Sequence, residues 1–83
     1  MESNLNVSHQ ILSSLSKRLK LDVSKIQPQH SLRYDLGLDS ADSIELVFAL
    51  EEMFDLEVSD QDFRKLTTVS EVIAYVEGRL STA

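Results

Sequence analysis

In the run DLGLDSAD, Asp35 to Asp42, a single hydroxyl, that of Ser40, stands between the carboxylates of Asp39 and Asp42. A nucleophilic serine needs a base to take its proton and donors to hold an oxyanion. Neither is in reach by sequence. The flanks of Ser40 do not match G-x-S-x-G, no lysine lies three residues on, and the two histidines, His9 and His30, sit in a predicted helix and a predicted loop. A calcium loop beginning at Asp35 fails because Gly37, Ala41 and Leu46 fall where oxygen ligands or the closing glutamate belong. Asp39 and Asp42 as a metal pair are more simply partners of a helix dipole. No catalytic residue and no metal ligand is assigned. Two readings of Ser40 remain open: a plain helix cap, or a hydroxyl that is chemically modified. A helix N-terminus offers free backbone N–H groups to a phosphoester, and the Gly37 loop can present the serine outward.

The surroundings bear on that choice. No lysine or arginine occurs between Arg33 and Arg64, whereas acids run from Asp35 through Glu45, Glu51 and Glu52 to Asp62, and the net charge is -6. Such a field repels nucleic acid and steers the chain toward basic protein surfaces. It also discourages a polyanion attached at Ser40 from folding back. The chain has no cysteine, which excludes disulfides, thiolate metal sites and cysteine nucleophiles. No segment approaches the roughly 20 apolar residues of a membrane span, and the N-terminus lacks the pattern of a signal peptide. A soluble, cytoplasmic monomer is expected.

Elements must position Ser40, and the periodicity supplies them. Val7, Ile11, Leu15 and Leu19 repeat every four residues and predict an amphipathic helix over residues 4–20. Pro28 breaks any continuation. Leu32, Tyr34, Leu36 and Leu38 alternate with other residues but have no second alternating run to pair with, so a long loop pinned by every second side chain is expected. A second helix runs from Ser40 or Ala41 to Phe54, with Asp39 and Ser40 as cap candidates. Its core face is Leu46, Val47, Leu50 and Phe54. Ala41, Ile44 and Phe48, at i, i+3 and i+7, form a neighbouring stripe that is only partly buried. A short third helix spans residues 59–66 with Phe63 and Leu66 inward. Thr68 and Glu71 form a capping box for a last helix carrying Val69, Val72, Ile73, Val76 and Leu80 on one face. The fold class is all-α: a small four-helix bundle with a long first loop and a short third helix, in one domain over residues 1–83.

The D-x-G-x-D-S run at Asp35, Gly37, Asp39 and Ser40, the E-L-V-x-A-L-E-E-x-F run from Glu45 to Phe54 and the T-T-V before the last helix, taken in order, resemble an acyl carrier protein. The resemblance covers nearly the whole chain. It implies that Ser40 accepts a 4'-phosphopantetheine arm from coenzyme A, added by a separate phosphopantetheinyl transferase that uses magnesium. The arm's thiol would then carry acyl cargo as a thioester, so that a cysteine-free protein handles thiol chemistry through its cofactor. The protein would be a tethered substrate and not an enzyme. By position, Asp39, Glu45, Glu51 and Glu52 match acids of the family's recognition helix, and Ile44 and Phe48 match its apolar contacts. Basic surfaces of acyl-processing enzymes would meet them.

Two positions depart from the family. Ala41 stands where a bulky apolar residue usually follows the serine, removing a contact from the recognition stripe. Phe63 occupies a third-helix position that is often small, where a ring narrows the cavity that shelters an acyl chain. The resemblance implies service to fatty acid biosynthesis or to a specialised acyl, polyketide or aminoacyl pathway, and both departures suggest a specialised carrier with short or unusual acyl or aminoacyl cargo. Ser43 is the nearby rival for attachment but lies inside the helix. The competing assignments are a peptidyl or polyketide carrier domain of a larger synthase and an unmodified acidic helical adaptor.

Overall fold

A computed structural model describes residues 3–81 and contains, among them, four helices and one 3-10 turn. Helix α1 spans Ser3–Leu19, the 3-10 turn Val23–Lys25, α2 Ser40–Phe54, α3 Asp60–Arg64 and α4 Val69–Ser81. Helix α1 packs against α2 and α4. The all-α bundle read from the periodicity is what the chain forms, and no helix among the described residues is long and apolar enough to cross a membrane.

The core follows from the four-residue repeats. Val7, Ile11 and Leu15 of α1 are buried against Leu46 and Leu50 of α2 and Val69, Val72 and Val76 of α4. Removing such side chains from water is the main favourable contribution to folding, about 1.5–3 kcal/mol for each fully buried aliphatic group. Helices α1 and α2 both stop in left-handed residues that are not glycine, Lys20 at φ 58° and Asp55 at φ 54°. In each case the following N–H reaches back to the carbonyl five residues earlier, Leu21 to Ser16 and Leu56 to Glu51. This is the hydrogen-bond pattern that closes a helix C-terminus and turns the chain away.

The long loop is held differently from the expectation. Leu32 and Leu38 are buried and Leu36 is half-buried, but Tyr34 is 84% exposed, so the alternation of inward side chains fails at its second member. Backbone bonds take over. Ser31 and Thr68 form an antiparallel bridge, the N–H of Leu32 donates to the Thr67 carbonyl at 2.9 Å, and the N–H groups of Val69 and Ser70 donate to the carbonyls of His30 and Pro28. The loop thus satisfies two of the orphan N–H groups at the start of α4. A single bridge is what two short extended segments can form where no strand is long enough to pair.

Helix α3 is shorter than the expected 59–66. Ser59 caps it by accepting from the Asp62 N–H, and Lys65 ends it with its N–H directed to the carbonyls of Asp62 and Phe63. Phe63 and Leu66 do turn inward onto the core. Tyr75 of α4 donates a hydrogen bond to Asp62 at 3.0 Å and accepts one from Arg79 at 2.8 Å, which fastens α3 to α4. Burial and the Asp62 bond both raise the Tyr75 pKa above its ordinary value.

The capping box at α4 is present: the Glu71 N–H donates to Thr68 Oγ1, and one Glu71 carboxylate oxygen accepts from the N–H groups of Thr67 and Thr68 and from the Thr67 hydroxyl. The backbone bond from Thr67 is the largest of the influences that lower the Glu71 pKa. A carboxylate held below its unfolded value stabilises the fold above that value and loses the contribution as pH falls through the folded one. Glu71→Gln should therefore flatten the stability curve between the ordinary glutamate value and Glu71's own lower one, as read from urea midpoints at stepped pH. Leu50→Ala, at a fully buried site, should cost about 2–5 kcal/mol in the same assay at neutral pH.

Candidate functional site

The N-terminus of α2 answers which residue does the capping. Asp39 accepts from the Asp42 N–H at 2.9 Å, and Asp42 Oδ2 accepts from the Asp39 N–H at 3.3 Å. This reciprocal box occupies both carboxylates with backbone, as expected of acids at a helix start. Ser40 is consequently the first residue inside the helix and not its cap. It is exposed, and its hydroxyl makes no hydrogen bond with any described residue. Nor do the N–H groups of Ser40 and Ala41 have an acceptor among the described residues. A phosphate ester on the Ser40 oxygen would sit beside these open donors. The donor set fits the group that the sequence motif implies.

Gly37 sets up this presentation. It lies at φ 74°, a region that L side chains rarely adopt. The turn lets the Leu38 N–H return to the Leu32 carbonyl at 2.9 Å and drops the Leu38 side chain into the core. Two residues later the chain emerges at Ser40. Ser43, the rival hydroxyl, is half-buried within the helix, and its N–H is bonded to the Asp39 carbonyl.

Beside Ser40 lies a groove of about 510 Å³ bounded by Ile44, Val47 and Phe48 of α2 and by Asp60, Phe63 and Arg64 of α3, with Arg33 and Ser43 completing it. A smaller pocket of about 260 Å³ adjoins it, against Leu32, Leu38, Leu66 and Thr67. Phe63 lines both. The ring therefore stands where groove and pocket adjoin, the position at which a bulky side chain restricts depth. Val47, expected in the core, is half-buried on the groove wall, while Leu46 and Leu50 carry the core contact of α2.

The stripe of Ala41, Ile44 and Phe48, two of which line the groove, is more exposed than a partly buried face. Ile44 is 55% and Phe48 61% accessible, and Ala41 is exposed as well. Large apolar side chains left in water side by side mark a contact surface more often than isolated ones do. The acids around them are not alike. Glu52 is exposed, and Asp39 is exposed but engaged in its cap. Glu45 is paired with Arg18 of α1 at 2.8 Å. Glu51 is half-buried and accepts the Val58 N–H at 3.0 Å, so it braces the α2–α3 connection and departs from the set of outward acids expected from its position.

Three arginines near the site carried no role in the sequence reading. Arg18 reaches Glu45 across the helix pair, a contact 27 residues distant in sequence that periodicity cannot reveal. Arg33 and Arg64 border the groove, and the one available signal was their place at either end of the stretch without basic residues.

Comparison with known proteins places the chain in a family. The family described as "Phosphopantetheine attachment site" matches residues 9–76, from within α1 to within α4. An acyl carrier protein of Exiguobacterium sp. is 40% identical over 70 residues, covering 84% of this chain and 89% of the relative. Another, from Buchnera aphidicola subsp. Schizaphis graminum, is 43% identical over 74 residues, covering 89% of this chain and 94% of that protein. With an unspent serine at the head of a capped helix and likeness of this extent on both sides of it, the chain belongs to the acyl carrier protein family, whose members carry 4'-phosphopantetheine.

Proposed function

We propose that Ser40 is the residue that holds the arm, and that α2 is the face through which acyl-processing enzymes read the protein. The observation that carries this reading is the division of labour at the helix start. Asp39 caps, and Ser40, one residue on, is exposed and unengaged. A hydroxyl needed for folding would be tied into the turn.

Attachment asks little of this chain. The Ser40 oxygen forms a bond to the phosphorus of coenzyme A that bears the pantetheine, the bond from that phosphorus to the adenosine-containing phosphate breaks, and the hydroxyl proton leaves to the transferase. Magnesium and the base belong to that enzyme, so this chain need supply neither. Once bound, the group supplies a thiol that carries acyl cargo as a thioester. The chain's own residues display the arm and admit partners. The open N–H groups of Ser40 and Ala41 favour the phosphate, Ile44 and Phe48 offer apolar contact, and Asp39, Glu45 and Glu52 attract basic surfaces. Glu51 contributes by fixing the end of α2, not by direct pairing.

A carrier of this kind acts as a substrate in transit, without catalysis of its own, in one domain that works as a monomer in the cytoplasm. The small Ala41 and the Phe63 ring support a dedicated pathway with short or unusual acyl or aminoacyl cargo over service to long-chain fatty acid synthesis. Extension of long chains on this protein at the rate seen with a housekeeping carrier would overturn that part.

Incubation with coenzyme A, magnesium and a broad-specificity transferase should add one phosphopantetheine to the parent by intact mass and none to Ser40→Ala. An unmodified adaptor would gain no mass and would keep its function in the Ser40→Ala variant. Phe48→Ala, at an exposed site, should change stability by no more than about 0.5 kcal/mol. Transfer by a partner enzyme should slow roughly tenfold in the same variant, the loss of an apolar anchor worth about 1–2 kcal/mol.

A further inference from the structure

Acids dominate the neighbourhood of Ser40 in the sequence, and a phosphate there should be driven outward. The folded chain places the opposite charge in the groove itself. Arg33 comes from the loop, next to Leu32, whose N–H is fixed to the Thr67 carbonyl. Arg64 is the last residue of α3, next to the inward Phe63. The two elements are far apart in sequence, yet both arginines line the groove that Ser40 also lines. Neither makes a hydrogen bond or ion pair with any described residue. In a chain with 14 acidic and 8 basic residues, two arginines unpaired at one groove are not accounted for by folding. Asp60 borders the groove too, one turn before Arg64, and forms no bridge to either arginine.

Resting on the assignment of the arm to Ser40, we infer that Arg33 and Arg64 hold the phosphodiester of the attached arm and lay its first segment into the groove over Ile44, Phe48 and Phe63. Guanidinium is the side chain suited to a phosphate: its planar fork donates two parallel hydrogen bonds to adjacent oxygens. The phosphate is tethered to a residue on the same groove, so its effective concentration is high and even exposed cations can engage it. The open N–H groups of Ser40 and Ala41 complete the donor set from the other side. A partner bringing its own basic residues to α2 would compete for the same oxygens and free the arm as it docks.

The test uses the holo protein, with intact mass recorded first. Absence of the added mass would remove the Ser40 assignment and the inference with it, and would be recognised as such. With the mass present, arginine Nε–Hε resonances are compared between apo and holo forms of nitrogen-15-labelled protein and assigned by Arg33→Gln and Arg64→Gln. Two signals should shift and sharpen on attachment, and the phosphorus resonance should move in the double variant toward that of the same phosphodiester in the urea-unfolded holo protein. Raising the salt, which screens such contacts, should move the parent's phosphorus signal in the same direction. A fully modified protein whose arginine signals match the apo form, or whose phosphorus resonance is the same in parent and double variant, would overturn the inference.

Discussion

The backbone clasp between the long loop and the start of α4 is the constraint on which the site rests. Leu32 donates to Thr67, and Val69 and Ser70 donate to His30 and Pro28. These bonds fix the loop by its main chain and leave most of its side chains uncommitted. Leu32 and Leu38 then need only drop into the core, and the Gly37 turn between them delivers Ser40 to the surface at a set position. The same clasp holds Arg33 at the groove and closes two donors of α4 that would otherwise be orphaned. A single arrangement of peptide groups therefore stabilises one helix and aims the functional end of another.

The helices were legible in the sequence because their cause is local and periodic. Val7, Ile11 and Leu15 had to share a face, and Thr68 with Glu71 had to cap, whatever the rest of the chain did. Asp39, Ser40, Ile44 and Phe48 were also readable, since a motif and a helical spacing of three and four residues suffice to place them. The misreadings have a different origin. Tyr34 was expected inward by alternation, but peptide bonding to a distant segment replaced the side-chain pin. Glu51 is placed among the recognition acids by the resemblance alone, and its bond to the Val58 N–H depends on the return of the chain, which no motif encodes. Arg18, Arg33 and Arg64 depend on where separate elements meet, which composition and period do not encode.

Charge in this protein is organised by position as well as by sign. Carboxylates occupy the helix cap and the outer face of α2, while Arg33 and Arg64 line the groove beside Ser40 together with Asp60. The net charge of -6 describes the field seen by an approaching macromolecule and not the one felt by a group on Ser40. Long-range steering and local placement of the arm can therefore be set by different residues. Phe63 lines both the groove and the adjoining smaller pocket, so its ring belongs to the same region.

The contact between Arg18 and Glu45 alters what it means for a partner to meet this face. An approaching cation does not find a bare carboxylate. It exchanges with a guanidinium already in place, so one ion pair is broken for each one formed. Screening weakens both sides of that exchange alike. A basic group drawn to Glu45 exchanges with Arg18, which stays close enough to reclaim the acid when that group withdraws. On the proposal that α2 is the docking face, the ion pair would serve as a built-in means of release.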